Sequence, residues 1–454
     1  MTSIFDPTLI KKYNTSGPRY TSYPTALEFS PELPDNPLHK AALTSAGEGL
    51  SLYIHIPFCD TLCYYCGCNK MITRHKDKAD RYLNYVEKEI ELNKASFKNQ
   101  PVKQCHLGGG TPSFLSKAQI ARLMKMLRIN YRFSNDCEIS IEVDPRGVES
   151  DYLDHLHDIG FNRISIGVQD VDETVQKAIN RVQSTEHIKA LVVHAKTIGF
   201  KSVNLDLIYG LPHQSTDSFA RTLDVVADID PERISLFSYA HMPTRFAAQR
   251  KIKDQWLPSP HTKFGLMRQA IEYLSANGYD LIGMDHFAKT NDELAIAQRE
   301  GTLHRNFQGY TTQENLDMVG LGVSSISFIG DWYLQNSKTL NSYYASLDRG
   351  ELSIEKGVGI NSDDAIRRAV IMSLMCNLSI NKRAIEMDFE IEFDRYFAEE
   401  ISCLGTFKSD NLLFEDAESI HVAPHARLLV RNIAMTFDAY LGLAKNHQRF
   451  SRVI

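Results

Sequence analysis

Residues 51–70 read SLYIHIPFCDTLCYYCGCNK. The first eight form a short apolar run that breaks at a proline, which predicts a largely buried strand over 51–58. Directly behind it, Cys59, Cys63, Cys66 and Cys68 place four of the chain's eight cysteines within ten residues. A strand that delivers a thiol-rich loop at its C-terminal end matches the end of α/β barrels and sheets where chemistry is done.

Outward from this stretch the pattern repeats. Strand candidates follow at QCHLGGG (104–110), CEISIEVDP (137–145), RISIGVQD (163–170), SVNLDLIYGLP (202–212) and RISLFSYA (233–240). Amphipathic helical stretches separate them at 78–94, 116–131, 186–199 and 215–229. Strands alternating with helices imply parallel βαβ units joined by right-handed crossovers. The expected fold class is therefore α/β, with six units forming an open or incomplete barrel; a doubly wound sheet is the alternative. Three regions are expected: an N-terminal arm over 1–50, a barrel with its extension over 51–350, and a mostly helical C-terminal domain over 351–454 with a hairpin near 411–424. The prolines of SGPRYTSYPTALEFSPELPDNP (16–37) argue against a long helix in the arm, so it is expected to pack as extended chain.

At 454 residues the chain can hold about two or three domains, or one barrel with additions. Its 43% hydrophobic and 23% charged residues exclude a disordered chain. A net charge of -6 supplies no global basic field for nucleic acid, although a local basic patch could still meet an acidic ligand. The N-terminus lacks a basic-then-apolar signal pattern, and no run of about 18 apolar residues occurs. A cytoplasmic protein without a membrane span is expected, and a monomer. In a reducing compartment, clustered cysteines hold a metal or do redox chemistry more often than they form disulfides.

Three thiolates at Cys59, Cys63 and Cys66 can wrap a short loop around an iron–sulfur cube and leave one iron without a protein ligand. That open iron is a place for substrate or cofactor. Zinc is the alternative, with Cys68 as fourth thiolate, although structural zinc usually draws two separated pairs. Cys105, Cys137, Cys376 and Cys403 lie scattered and suit packed thiols. GGGTP (108–112) offers either a plain turn or a backbone that a ligand can approach closely. Glu142 stands among apolar strand residues and needs a partner, either a ligand or a salt bridge. Gln169, Arg181 and Asp206 each end or interrupt an apolar run, where a structural hydrogen bond would also explain any one of them.

The Cx3Cx2C loop behind the first strand resembles the radical S-adenosylmethionine (SAM) superfamily. YIHIPFC and CYYCGCNK narrow the resemblance to the oxygen-independent coproporphyrinogen III oxidases, as do PRYTSYPTA, GGGTPSFL, SIEVDPR, NLDLIYGLP, GMDHFA, LHRNFQGYTT and GLGVSSIS. The resemblance implies a [4Fe-4S] cluster on Cys59, Cys63 and Cys66, with SAM on the open iron as source of a 5′-deoxyadenosyl radical. It implies two SAM molecules, held by positions matching Tyr53, Tyr65, Gly109, Gly110, Thr111, Glu142, Gln169, Arg181, Asp206, Ala240 and Ile326. The implied reaction turns the ring A and B propionates of coproporphyrinogen III into the vinyls of protoporphyrinogen IX, with an electron donor and acceptor that the sequence does not name. Such a substrate carries four carboxylates and needs cationic anchors. Arg19, Arg146, Arg305 and Lys70 are the candidates, Arg19 first, on an arm that could close over the barrel mouth. Cys68 matches a fourth cysteine outside the ligand set, for which a substrate-side or electron-transfer role competes with that of a free thiol. The rival readings are a haem chaperone and another haem-directed radical SAM enzyme; CGCNK and the PRYTSYP arm favour the oxidase. The chain departs from the family at Tyr65, where Phe is common, and at Ala423 and Ala426, where Thr and Gly are usual.

Overall fold

A computed structural model describes residues 6–443 of the chain. The end of the expected C-terminal domain, 444–454, lies outside the described residues, as do residues 1–5 of the arm. Six strands form its centre: β1 (Gly49–Ile56), β2 (Pro101–Gly109), β3 (Arg132–Val143), β4 (Arg163–Gln169), β5 (Ser202–Tyr209) and β6 (Arg233–Ser238). Helices α1 (Asp77–Asn93), α2 (Lys117–Asn130), α3 (Ser150–Asp158), α4 (Thr185–Ile198) and α5 (Thr216–Ile229) lie between consecutive strands. Their starts are legible in sequence: Ser116, Ser184 and Ser215 each accept from a backbone N–H of the first turn.

Neighbouring strands β1 to β6 pair parallel and in chain order. A doubly wound sheet reverses direction beside its first strand; here the order never reverses, so the helices all fall on one side and the sheet curls as an open barrel. The expected six-unit α/β fold is found. Beyond it, α6 (Pro260–Ala276) leads to an antiparallel edge of β7 (Tyr279–Gly283) and β8 (His286–Lys289). On the other side β9 (Leu316–Leu321) joins β1 in parallel and continues through antiparallel β10 (Ile326–Ile329), β11 (Trp332–Asn336) and β12 (Ile354–Gly359). The sheet of twelve strands thus runs β12-β11-β10-β9-β1-β2-β3-β4-β5-β6-β8-β7, with two free ends rather than a closed ring.

Alternation along the strands divides the two faces. Cys105, Leu107, Ile139, Ile164, Val203 and Leu205 point to the helices and join one large core. Their neighbours Gln104, His106, Ser140, Ser165, Asn204 and Asp206 point the other way and line a cavity. The inner face of this barrel is therefore polar, and the site is built on it.

Helix α7 (Ser362–Asn377) opens the C-terminal part, whose three-stranded sheet includes the expected hairpin as Leu413–Glu415 and Ser419–Val422. A second core gathers there around Val370, Leu374, Phe393 and Phe437, and it includes Tyr13, Tyr20 and Tyr23 from the arm. Two short helices correct the expectation of an entirely extended arm, Pro7–Tyr13 and Pro37–Thr44. Their prolines sit in the first turn, where a missing N–H costs nothing. Only the chain between them runs largely without regular structure.

Candidate active site

Strand β1 hands the chain to a two-residue strand, Phe58–Cys59, which pairs with Met71–Ile72 and so closes the intervening residues into a loop. Main-chain bonds from Met71 N–H to Pro57 O (2.5 Å) and from Thr73 N–H to Cys59 O (2.9 Å) fasten the neck. Side chains from elsewhere hold the loop, with Asn180 donating to Leu62 O (2.8 Å) and Gln249 to Tyr65 O (2.8 Å), and within it Lys70 donates to Cys66 O (3.0 Å).

Cys59 and Cys63 are buried, Cys66 is half-buried and Cys68 exposed, all as free thiols. Thr111 Oγ1 donates to Cys59 Sγ at 3.2 Å. Two guanidiniums reach Cys63 Sγ, Arg146 at 3.5 Å and Arg181 at 3.6 Å. Asp144 lies between those arginines, accepting from Arg146 at 2.6 Å and from Arg181 at 3.1 Å. Burial alone would raise its carboxyl; the two arginines outweigh that and hold it below the usual carboxylate range. Burial also pushes the Cys59 thiol up to about 11. Cys66 is drawn down to about 6 by a hydrogen bond from the Cys68 thiol, against burial and with help from Lys70, and Cys68 is raised in return.

Cys59, Cys63 and Cys66 lie on one short loop as free thiols, and a polynuclear cluster takes one thiolate on each of several irons. The guanidiniums on Cys63 supply positive charge where an anionic cluster would sit.

Gly109 and Gly110 press against the root of this loop. At Gly109, φ is +117°, and a Cβ there would lie 2.6 Å from the His55 ring. At Gly110 it would lie 2.8 Å from the carbonyl carbon of Pro57 and 2.9 Å from Phe58 O. Gly110 N–H donates to Ile56 O (2.8 Å). The glycines thus serve backbone packing between β1 and β2, and they leave the Gly109 N–H free to donate to Glu142 Oε2 at 3.2 Å. That amide and His106, 3.5 Å from Oε1, are the partners Glu142 was expected to need.

A cavity of about 630 Å³ runs along the polar face of the sheet. Cys66, Cys68 and Tyr65 border it on the loop side, followed by Gly109, Gly110, Thr111 and Glu142. Gln169, whose φ is +67°, Arg181 and Asp206 line it further round the barrel. The predicted positions are therefore largely brought together. Tyr53 stands outside this lining, stacked on His106 at 6.0 Å and within 3.2 Å of His55 Nδ1. Ala240 is exposed beyond the lining, its carbonyl tied through Gln249 to the Tyr65 carbonyl, and Ile326 begins β10 beside Gln335.

Three of the four expected anchors are otherwise engaged. Arg146 is committed to Asp144 and Cys63, Lys70 to the Cys66 and Cys68 carbonyls, and Arg19 pairs with Asp285. Arg305 alone is buried without a carboxylate partner among the described residues. Sequence reasoning missed Asp144, which balances Arg146 and Arg181, and Gln249, which is buried and bridges three loop segments. An acidic residue two before Arg146 was the available signal for the first; the second had none.

Asp206 accepts from Ser165 Oγ (3.0 Å) and Asn204 Nδ2 (2.9 Å), yet burial and the nearby Glu142 push its carboxyl up to about 7. Between the unfolded value near 3.8 and 7 the folded chain binds the extra proton, so this group's contribution to stability falls as pH rises through that window. Asp206→Asn should therefore raise the thermal midpoint of the SAM-free protein more at pH 8 than at pH 5. Equal shifts at both pH values would show that the carboxyl ionises normally.

The sequence pattern described as the radical SAM superfamily matches residues 53–226, and that of the HemN C-terminal domain matches 360–429. The chain is 54% identical over 450 residues to the oxygen-independent coproporphyrinogen III oxidase of Escherichia coli strain K12, covering 99% of this chain and 98% of that one. It is 50% identical over 455 residues to the enzyme of that name from Pseudomonas aeruginosa, covering 99% of both. The solved structure described as coproporphyrinogen III oxidase (HemN) from Escherichia coli, a radical SAM enzyme, superposes with a TM-score of 0.93 at 52% identity, covering 96% of this chain and 99% of that chain.

Proposed function

Because the chain belongs to the oxygen-independent coproporphyrinogen III oxidases of the radical SAM superfamily, we propose that the cavity beside its cysteine loop is where the family's reaction takes place. The chain oxidatively decarboxylates the ring A and B propionates of coproporphyrinogen III to the vinyls of protoporphyrinogen IX. The observation that carries this reading is a Cx3Cx2C loop at the end of the first barrel strand, opening into a cavity whose walls are polar.

In this reading Cys59, Cys63 and Cys66 hold three irons of a [4Fe-4S] cluster. When bound, the cluster and SAM would supply the radical chemistry that activates a propionate side chain. The chain's own groups bind, orient and exclude water. Arg146 and Arg181 offset the charge at Cys63, while the loop's neck keeps Cys59 under β1. Glu142 offers an acceptor for the ammonium or hydroxyls of SAM beside the amide of Gly109, and Thr111 stands next to Cys59. A second set of acceptors, Asp206 among Ser165 and Asn204, lies on strands farther round the sheet. This set adjoins the first, since Ser165 stands opposite Glu142 across the strands, and we take it to extend the acceptor surface toward a second SAM molecule. Cys68 borders the cavity without being required as an iron ligand, which supports a substrate-side or electron-transfer role.

Among the described residues no helix is long and apolar enough to cross a membrane. We take the chain to work as a cytoplasmic monomer with an electron donor and an electron acceptor whose identities are open. The test is an anaerobic turnover of reconstituted protein with SAM, a reductant, coproporphyrinogen III and an electron acceptor. Protoporphyrinogen IX formed together with 5′-deoxyadenosine is the expected result. Deoxyadenosine without that product would transfer the site to another substrate, and binding of haem with neither product would favour a haem chaperone.

A further inference from the structure

A second cavity of about 350 Å³ lies behind the first. The two adjoin at Gln104, Asn306 and Thr311, which line both. The second chamber is enclosed by the 304–311 hairpin, strands β9 to β11 and helix α7, so it sits where the barrel meets the C-terminal part.

Its lining combines flat apolar rings with unpaired positive charge. Phe328 and Tyr333 stack at 4.3 Å, and Phe307 meets Tyr333 edge-on at 5.7 Å. Arg368 lies over the Phe328 ring at 4.6 Å and donates to Tyr333 Oη at 3.2 Å. Arg305 is only 7% exposed, with Nη1 on Tyr310 Oη (2.9 Å) and Met284 Sδ (3.1 Å), and its Nε has no hydrogen-bond partner. Neither arginine meets a carboxylate among the described residues. Glu314, the chamber's acidic residue, faces His304 at 3.8 Å instead. Both guanidiniums belong to the lining of this one chamber, together with Cys376.

A buried guanidinium with an unsatisfied N–H is costly unless something pairs with it. Arg305 is such a group, and the partly buried Arg368 over Phe328 adds a second guanidinium to the same lining. Two guanidiniums among aromatic rings, beside a catalytic cavity, describe a receptor for a dianion. The first chamber, about 630 Å³, lies within the range of roughly 300–1,000 Å³ usual for a single small-molecule site, and the cofactor and the reacting pyrrole must share it.

Resting on the oxidase reading above, we propose that this second chamber is the anchor for the unreacting half of the tetrapyrrole. Arg305 and Arg368 bind the propionate carboxylates of rings C and D, which the reaction leaves intact. The cysteine loop borders only the first chamber, so a carboxylate held by these arginines is not at the radical centre.

Anaerobically reconstituted holoprotein would be titrated with coproporphyrin III, with mesoporphyrin IX, whose only propionates are those of rings C and D, and with mesoporphyrin IX dimethyl ester. Arg368 is only partly buried, so Arg368→Gln is the variant of choice, with iron content and thermal midpoint as folding controls. Binding of both free acids should weaken at least tenfold, the ester should bind equally to both proteins, and Arg368→Lys should recover part of the loss. Unchanged affinity for mesoporphyrin IX, a loss confined to coproporphyrin III, or an equal loss of the ester would each overturn the assignment. Wild-type protein that binds none of these porphyrins would remove the tetrapyrrole reading itself.

Discussion

Cys63→Ala is expected to assemble no stable cluster and to release no 5′-deoxyadenosine above background. The loss has two sources. One iron ligand disappears, and the local charge balance fails with it. Arg146 and Arg181 bring two positive charges to this sulfur, and Asp144 supplies one negative charge. As an iron ligand Cys63 would be a thiolate and complete the neutralisation; a methyl group leaves a surplus cation in a buried setting, where opposite charge is worth most. Iron content and visible absorbance after anaerobic reconstitution measure the first effect, and product analysis the second. A variant with normal iron and undiminished SAM cleavage would remove Cys63 from the ligand set. The same outcome is expected for Cys59→Ala and Cys66→Ala, without the charge penalty.

The second large effect is expected of one added methyl group, Gly110→Ala. Its Cβ would fall within 3 Å of Pro57 and Phe58 main-chain atoms, which have no rotamer to escape into. Overpacking of this kind costs about 1–3 kcal/mol. More important is what moves: Phe58 precedes the first cluster ligand, so relief of the clash displaces Cys59 from Thr111 and from the cavity rim. Misplacement near 1 Å at a reacting centre can cost about a hundredfold in rate. Chemical denaturation should report the stability loss and single-turnover SAM cleavage the rate loss. Wild-type values for both would mean that the loop yields freely, contrary to its fastening at Pro57 and Cys59.

The strands and helices of the barrel were legible because each is a local pattern. The expected strand at 163–170 is found as Arg163–Gln169, and the helix expected at 215–229 as Thr216–Ile229, behind its capping serine. Several site residues were legible for a related reason: Glu142, Gln169 and Asp206 each put a polar group where the helix-facing alternation leaves an inner position. What escaped was set by contacts distant in sequence. Gln249 acquires its role only when Tyr65 and Ala240 are brought to it. Arg19 is a charged residue near the right place, but Asp285, brought to it by folding, had already claimed it; Arg146 was claimed locally, by Asp144 two residues before it. Arg368 carried no local signal, because its chamber exists only where α7 closes over β10 and β11.

The arm's attachments carry a consequence for the order of assembly. Arg431 donates to the carbonyls of Gly17 (2.6 Å) and Pro18 (2.9 Å), Asn432 to that of Tyr13 (2.8 Å), and Tyr20 Oη to Asp438 (2.9 Å). Thr21, next in the chain, belongs to the wall of the second chamber. A ribosome delivers residue 13 long before residue 438, whereas the six parallel strands and the cysteine loop are complete once residue 238 has emerged. During synthesis the arm therefore has no seat until residues 431–438 follow, and a segment made early is fixed late. For that interval the thiols are present while the second chamber lacks part of its wall.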